Sequence, residues 1–192
     1  MSCTLQYSTA KRLAYGLLGT ALTLGGGAVV WTECNTKTVN PLTSARWPEV
    51  PIPLFVSSAM PLEHAAQLRD AAGRWRGWTG CDLFHFEPLP DGLLFPPRAG
   101  AAVIFQDGLQ PLETSLEWQG AWMNHAVVTV VPKRSELMPD MLAHELGHVL
   151  GLGHIDIGHA LMFKAVTSRD KEPTESEKKY VQSQTGCRML SE

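Results

Sequence analysis

His144, Glu145, His148, Gly151 and His154 stand at the offsets H-E-x-x-H-x-x-G-x-x-H. On a helix, His144 and His148 lie one turn apart on the same face, so both imidazoles can reach a single metal ion. Glu145, beside them, is placed to take a proton from a water held there. Gly151 can supply the positive φ that ends a helix and reverses the chain, bringing His154 round as a third ligand. Three neutral imidazoles with a fourth position left open describe a catalytic zinc site, not a closed structural one. The chemistry of such a site is hydrolysis by an activated water. Chance would set these five residues at these offsets in about one chain in 10⁴ of this composition. The competing reading is an amphipathic helix whose histidines merely face solvent.

A helix that carries a metal face needs a separate core face. Leu142, Leu146, Val149 and Leu150 recur at i, i+4, i+7 and i+8 and provide one. Ser135 or Asp140 would cap its start, and Pro139 fits only the first turn. Upstream, residues 35–48 read as a linker entering the domain. Ile52 to Val56 reads as a strand that Pro53 confines to an edge or a bulge. Pro61 opens a helix with Leu62, Ala65, Leu68, Ala72 and Trp75 at helical spacing, and Gly80 closes it. Leu83 to Glu87 alternates as a strand with Phe84 and Phe86 on one face, and residues 88–100 form a loop dense in Pro and Gly. Ala101 to Phe105 and Ala126 to Val131 are the strongest strand signals. Glu175 to Gln184 reads as a closing helix.

The motif resembles that of the metzincin metallopeptidases, in which a tight turn carrying a methionine follows the zinc helix. Here Ala160-Leu161-Met162 follows, with Met162 eight positions after His154, and that short interval is similar to the matrixin branch. The resemblance implies that His144, His148 and His154 are zinc ligands, Glu145 the general base and Met162 the Met-turn residue beneath the metal. It implies an α+β, zincin-type catalytic domain over roughly residues 47–186: a twisted mixed sheet with two long helices, zinc helix, Met-turn and C-terminal helix. By the same analogy Phe163 to Val166, with Phe163 and Val166 foremost, would line the substrate pocket. Some features depart from the pattern. Phe163-Lys164 stands where matrixins carry Tyr-Pro, Ile155 follows the third histidine in place of Ser, and Lys164 excludes the tyrosine ligand of the astacin branch. No Pro-Arg-Cys-Gly switch sequence is present.

The implied activity is that of a zinc endopeptidase acting on a peptide or protein, with an extended substrate pairing to a strand edge, for which Ala101 to Phe105 is the expectation. The alternative is a catalytically inactive zinc-binding relative acting as an extracytoplasmic binding module. An anchored structural protein with incidental histidines is a further rival.

With 192 residues, 44% hydrophobic content and net charge −3, the chain can bury a sizeable core in one domain, expected to be monomeric. The mildly acidic balance and the lack of a basic stripe argue against nucleic acid as a partner. Lys11-Arg12 precede an apolar run from Leu13 to Val30, which reads as an export signal or a single membrane anchor. Residues 1–34 are thus expected to be that segment and 35–192 the catalytic domain, secreted or periplasmic, or held at a membrane by residues 13–30. Past the run, Cys34, Cys81 and Cys187 allow one disulfide and one leftover thiol, with the pair left open. Cys34 as an inhibitory zinc thiolate is a further possibility.

The other histidines carry simpler expectations. His64 is expected in solvent, His85 on a sheet face and His125 near the cleft, while His159 competes with His154 as ligand. The tryptophans Trp75, Trp78, Trp118 and Trp122 are expected in core or cleft wall. Calcium finds no motif, although Asp82, Asp107 and Asp156 offer isolated carboxylates.

Overall fold

The computed structural model describes residues 40–105, 113–130, 138–164 and 171–187. The expected export segment with Cys3 and Cys34 lies outside the described residues, as do Ser135, Asp107 and Val166. Runs of β-branched and aromatic residues form five strands: β1 (Ile52–Ser57), β2 (Phe84–Leu89), β3 (Gly100–Phe105), β4 (Glu113–Gln119) and β5 (Trp122–Val130). They pair in the order β2-β1-β3-β5-β4. β1, β2, β3 and β5 are mutually parallel, and β4 runs antiparallel to β5. Among the described residues there are three helices, α1 (Leu62–Thr79), α2 (Met138–Val149) and α3 (Glu175–Thr185).

Parallel neighbours cannot be joined by a hairpin, so a crossover must link β1 to β2. The 18-residue α1 is that crossover. It starts after Pro61, whose missing N–H costs nothing at a helix start, and stops at Gly80, whose φ of +71° a side chain would strain. Leu68, Ala71, Ala72 and Trp75 turn inward and meet Leu142, Leu146 and Val149 of α2 in the main core. The Trp75 indole donates to the Ala143 carbonyl (2.8 Å), and Arg74 pairs with the buried Asp140 (2.9 Å), which tie α1 to α2 by polar contacts as well. α3 begins with a capping box in which the Thr174 hydroxyl and the Glu177 carboxylate each accept from the other's backbone N–H. A disulfide from Cys81 to Cys187 joins its end to the turn after α1.

Several expectations change here. Ala101 to Phe105 is not an edge: β3 lies between β1 and β5, and Gly100 to Val103 are buried, as an apolar run paired on both sides must be. The edge beside α2 is β4, whose Thr114, Leu116 and Trp118 are half-buried while Glu113, Ser115, Glu117 and Gln119 are exposed. Charged outward residues suit an open edge. β1 is interior despite Pro53. Pro53 pairs only with His85 of β2, and the ladder to β3 opens one residue later at Leu54. His64 is buried, with its ring against Phe105 (5.4 Å between centroids), because it sits one turn before Leu68 on the inward face of α1. The expected linker is part of the domain from residue 40 onward: Trp47 is buried and its indole donates to the Val149 carbonyl (2.8 Å), an orphan acceptor at the end of α2.

Candidate metal centre

The core stripe of α2 is fully inside, so the opposite side of the helix presents His144 and His148. Their Nε2 atoms lie 3.1 Å apart. The helix ends as Leu150 N–H donates to Leu146, Gly151 N–H to His148 and Leu152 N–H to Gly147, with Gly151 at φ +87°. That reversal carries His154 Nε2 to 3.1 Å from His144 Nε2 and 3.2 Å from His148 Nε2. Three like atoms converging at that spacing are not hydrogen-bonded to one another. A tetrahedral ion with ~2.0–2.1 Å bonds to imidazole nitrogen requires ligand separations of about 3.3 Å. The donor set and its spacing therefore fit zinc.

The far side of two rings fixes their tautomer. His144 Nδ1–H donates to the Leu161 carbonyl and His148 Nδ1–H to the Leu152 carbonyl, each at 2.7 Å, which leaves the Nε2 lone pairs facing the common point. Burial pushes both rings down to about 4, with neighbouring imidazoles adding to the effect, so both are neutral at neutral pH. Burial lowers His154 as well. Zinc requires neutral imidazoles, and the site supplies them.

Glu145 is nearly buried, and burial raises its carboxyl above the usual carboxylate range, while His144 and the Thr114 hydroxyl oppose the shift and Glu113 adds to it. Thr114 Oγ1 lies 2.5 Å from Glu145 Oε2. Beneath α2, Met162 is fully buried and lies so close to Gly147 that a Cβ there would sit 2.4 Å from its sulfur. The Met-turn is closed by Ile155 N–H donating to the Met162 carbonyl (2.9 Å). Residues 40–42 run antiparallel to the third-ligand segment: Leu42 N–H donates to Gly151, Gly153 N–H to Asn40, and the Asn40 side chain to the His154 carbonyl (2.9 Å).

Among the described residues, His144, His148 and His154 are the one group of three or more side chains able to share a metal ion. The competitor His159 is exposed and outside that group. His125 faces Glu117 across the β4–β5 ladder at 3.8 Å and is likewise outside that group. Asp82 and Asp156 pair with Arg76 and Lys164. Phe163 is half-buried directly after the Met-turn, with Lys171 Nζ 5.0 Å from its ring centroid. Thr114 and Asn40 went unread in the sequence. The alternation of β4 marks Thr114 as a hydroxyl on an apolar face, whereas nothing local marks Asn40.

No curated protein sequence matches the chain. A structural match is a hatching-enzyme zinc protease of the medaka fish Oryzias latipes, high choriolytic enzyme 1. It is 19% identical with a TM-score of 0.41, over 60% of this chain and 55% of that one. The matrixin family model matches residues 95–183, which include β3, β4, β5, the zinc helix, all three histidines and the Met-turn. Over that segment, a little under half of the chain, the sequence matches the matrixin family, and the three-histidine group lies within the match.

Proposed function

We propose that this protein is a zinc endopeptidase that hydrolyses peptide bonds in extended polypeptide substrates. One observation carries the reading: three ring nitrogens converge within 3.2 Å of one another beside a nearly buried carboxylate on the same helix. Zinc held there supplies the Lewis acidity that makes a water acidic near neutral pH and polarises a carbonyl.

The chain's own groups do the rest. Glu145 takes the proton of the attacking water and delivers it to the leaving amine, a base and then an acid. Its raised carboxyl suits both halves of that cycle. The carbonyls of Leu161 and Leu152 keep the imidazoles turned inward throughout. β4 lies at the edge of the sheet among the described strands, and we assign that edge to an extended peptide, whose affinity would come from main-chain hydrogen bonds. We assign Phe163, just past the Met-turn, to the substrate pocket, and Val166 to the same pocket by analogy.

An oxidising, extracytoplasmic setting fits both the disulfide and the family. We place residues 1–34 as the export or anchoring segment and residues 35–192 as the catalytic domain, acting as a monomer. Zinc-loaded protein incubated with a peptide library tests the activity. E145A is expected to keep one zinc per chain while turnover falls by about 10²–10⁴. H148A is expected to lose stoichiometric zinc. Cleavage by E145A at the wild-type rate, or full zinc in H148A, defeats the proposal.

A further inference from the structure

The inward face of β4 carries Thr114, Leu116 and Trp118. Leu116 and Trp118 pack against the main core, as apolar residues on that face should. Thr114 is the exception, a hydroxyl where valine would serve the strand as well. A half-buried hydroxyl must find a partner or lose free energy. Its partner is Glu145: Oγ1 lies 2.5 Å from the carboxylate Oε2 and 3.4 Å from the Glu145 carbonyl. The shorter contact has the length of a charge-assisted O–H···O⁻ bond, so the hydroxyl donates to the carboxylate.

We propose that Thr114 is a positioning residue for the reaction: its hydroxyl holds one oxygen of Glu145 and leaves Oε1 as the oxygen that moves the proton. The inference rests on the peptidase reading above. The anchor is stiff at both ends. Thr114 is β-branched, with a restricted χ1, and its backbone is paired to Val128 of β5. Glu145 starts from a helix whose apolar stripe is buried without gaps. The flexible part between them is the glutamate side chain, and the bond ties down its tip.

The location of this anchor links binding to chemistry. β4 is the edge strand assigned above to the substrate, and the same strand holds the base. A peptide that pairs with β4 therefore docks on the element that aims Glu145. The chain separation between partners is 31 residues, so the contact exists only once β4 has folded against α2.

The test compares T114V, which keeps the branched shape without the hydroxyl, with T114S, which keeps the hydroxyl without the methyl. Full chain loaded with zinc is assayed on a quenched peptide that the wild type cleaves, and zinc content is measured alongside. T114V is expected to lose about 10- to 100-fold in kcat, with KM within about twofold of wild type and one zinc per chain. T114S is expected to recover to within about threefold of wild type. In crystals of zinc-loaded T114V the Glu145 carboxylate should occupy more than one rotamer, against one in the wild type. A T114V kcat within about twofold of wild type overturns the proposal, as does T114S as slow as T114V. Loss of zinc from T114V, or an unmoved single rotamer of Glu145, overturns it equally. A wild type that cleaves no peptide defeats the peptidase reading alone, because the order of Glu145 is read without turnover.

Discussion

Gly147, between the two histidines of the zinc helix, sets how close the Met-turn can come. A Cβ there would lie 2.4 Å from Met162 Sδ and 3.2 Å from Trp75 Cζ2. Helix propensity favours alanine by ~1 kcal/mol, but crowding a filled core costs ~1–3 kcal/mol, so the clash wins. G147A is expected to lower stability to urea by up to ~2 kcal/mol. It should also push Met162 and Leu161 away, and with them the carbonyl that orients His144. In an M162A background most of the penalty of G147A should disappear, since the nearest atoms it strikes are gone and only the Trp75 contact remains. An equal penalty in both backgrounds would show that the contact has no energetic weight. The grouping of the three histidines was legible because their spacing is local. The role of Gly147 was not, because a helical glycine gives no sign of what lies across from it. Thr114 and Asn40 reach the site from 31 and 114 residues away, beyond the range of any periodicity.

The strands show the same limit in another form. Alternation and helical spacing located β1, β2, β3, β5 and all three helices, yet they did not say which strand is the edge. That depends on pairing order: β4, which the sequence reading did not locate, hairpins onto β5 and takes the edge that was expected of β3. The segment before β1 read as a linker because Asn, Pro, Thr and Ser dominate it, and its backbone bonds to residues 151–153 lie far along the chain. That strap makes a prediction about metal affinity. N40A removes the side-chain bond to the His154 carbonyl and leaves the backbone pairing at Gly151 and Gly153 intact. A single net hydrogen bond is worth ~1 kcal/mol, so zinc should bind about fivefold more weakly, as read by chelator competition. Unchanged affinity would mean that the backbone pairing alone fixes the third ligand.

Across the described residues, the crosslink from Cys81 to Cys187 acts on a different quantity from the metal site. Cys81 and Cys187 are 106 residues apart, so their bond restricts a long loop of the unfolded chain and clamps the end of α3. The sequence offered three cysteines and no means to choose between pairings, since the choice depends on α3 folding back beside α1. α3 in turn bears on the strap, because the Tyr180 hydroxyl donates to the Thr43 carbonyl (2.9 Å). The ligands themselves are held by the strap, the Met-turn and the end of α2, all of which survive without the crosslink. The double variant C81S/C187S is therefore expected to lose ~2–5 kcal/mol of stability while binding one zinc at 25 °C with wild-type affinity. For a domain of this size that loss lowers Tm by roughly 5–15 °C. Calorimetry of the zinc-loaded protein with and without a thiol reductant would measure the same difference. If the variant melts with the wild type, the crosslink contributes nothing. If it loses zinc while still folded at 25 °C, α3 rather than the strap holds the third ligand. Because such bonds form and persist chiefly in oxidising compartments, the stability it adds is available there.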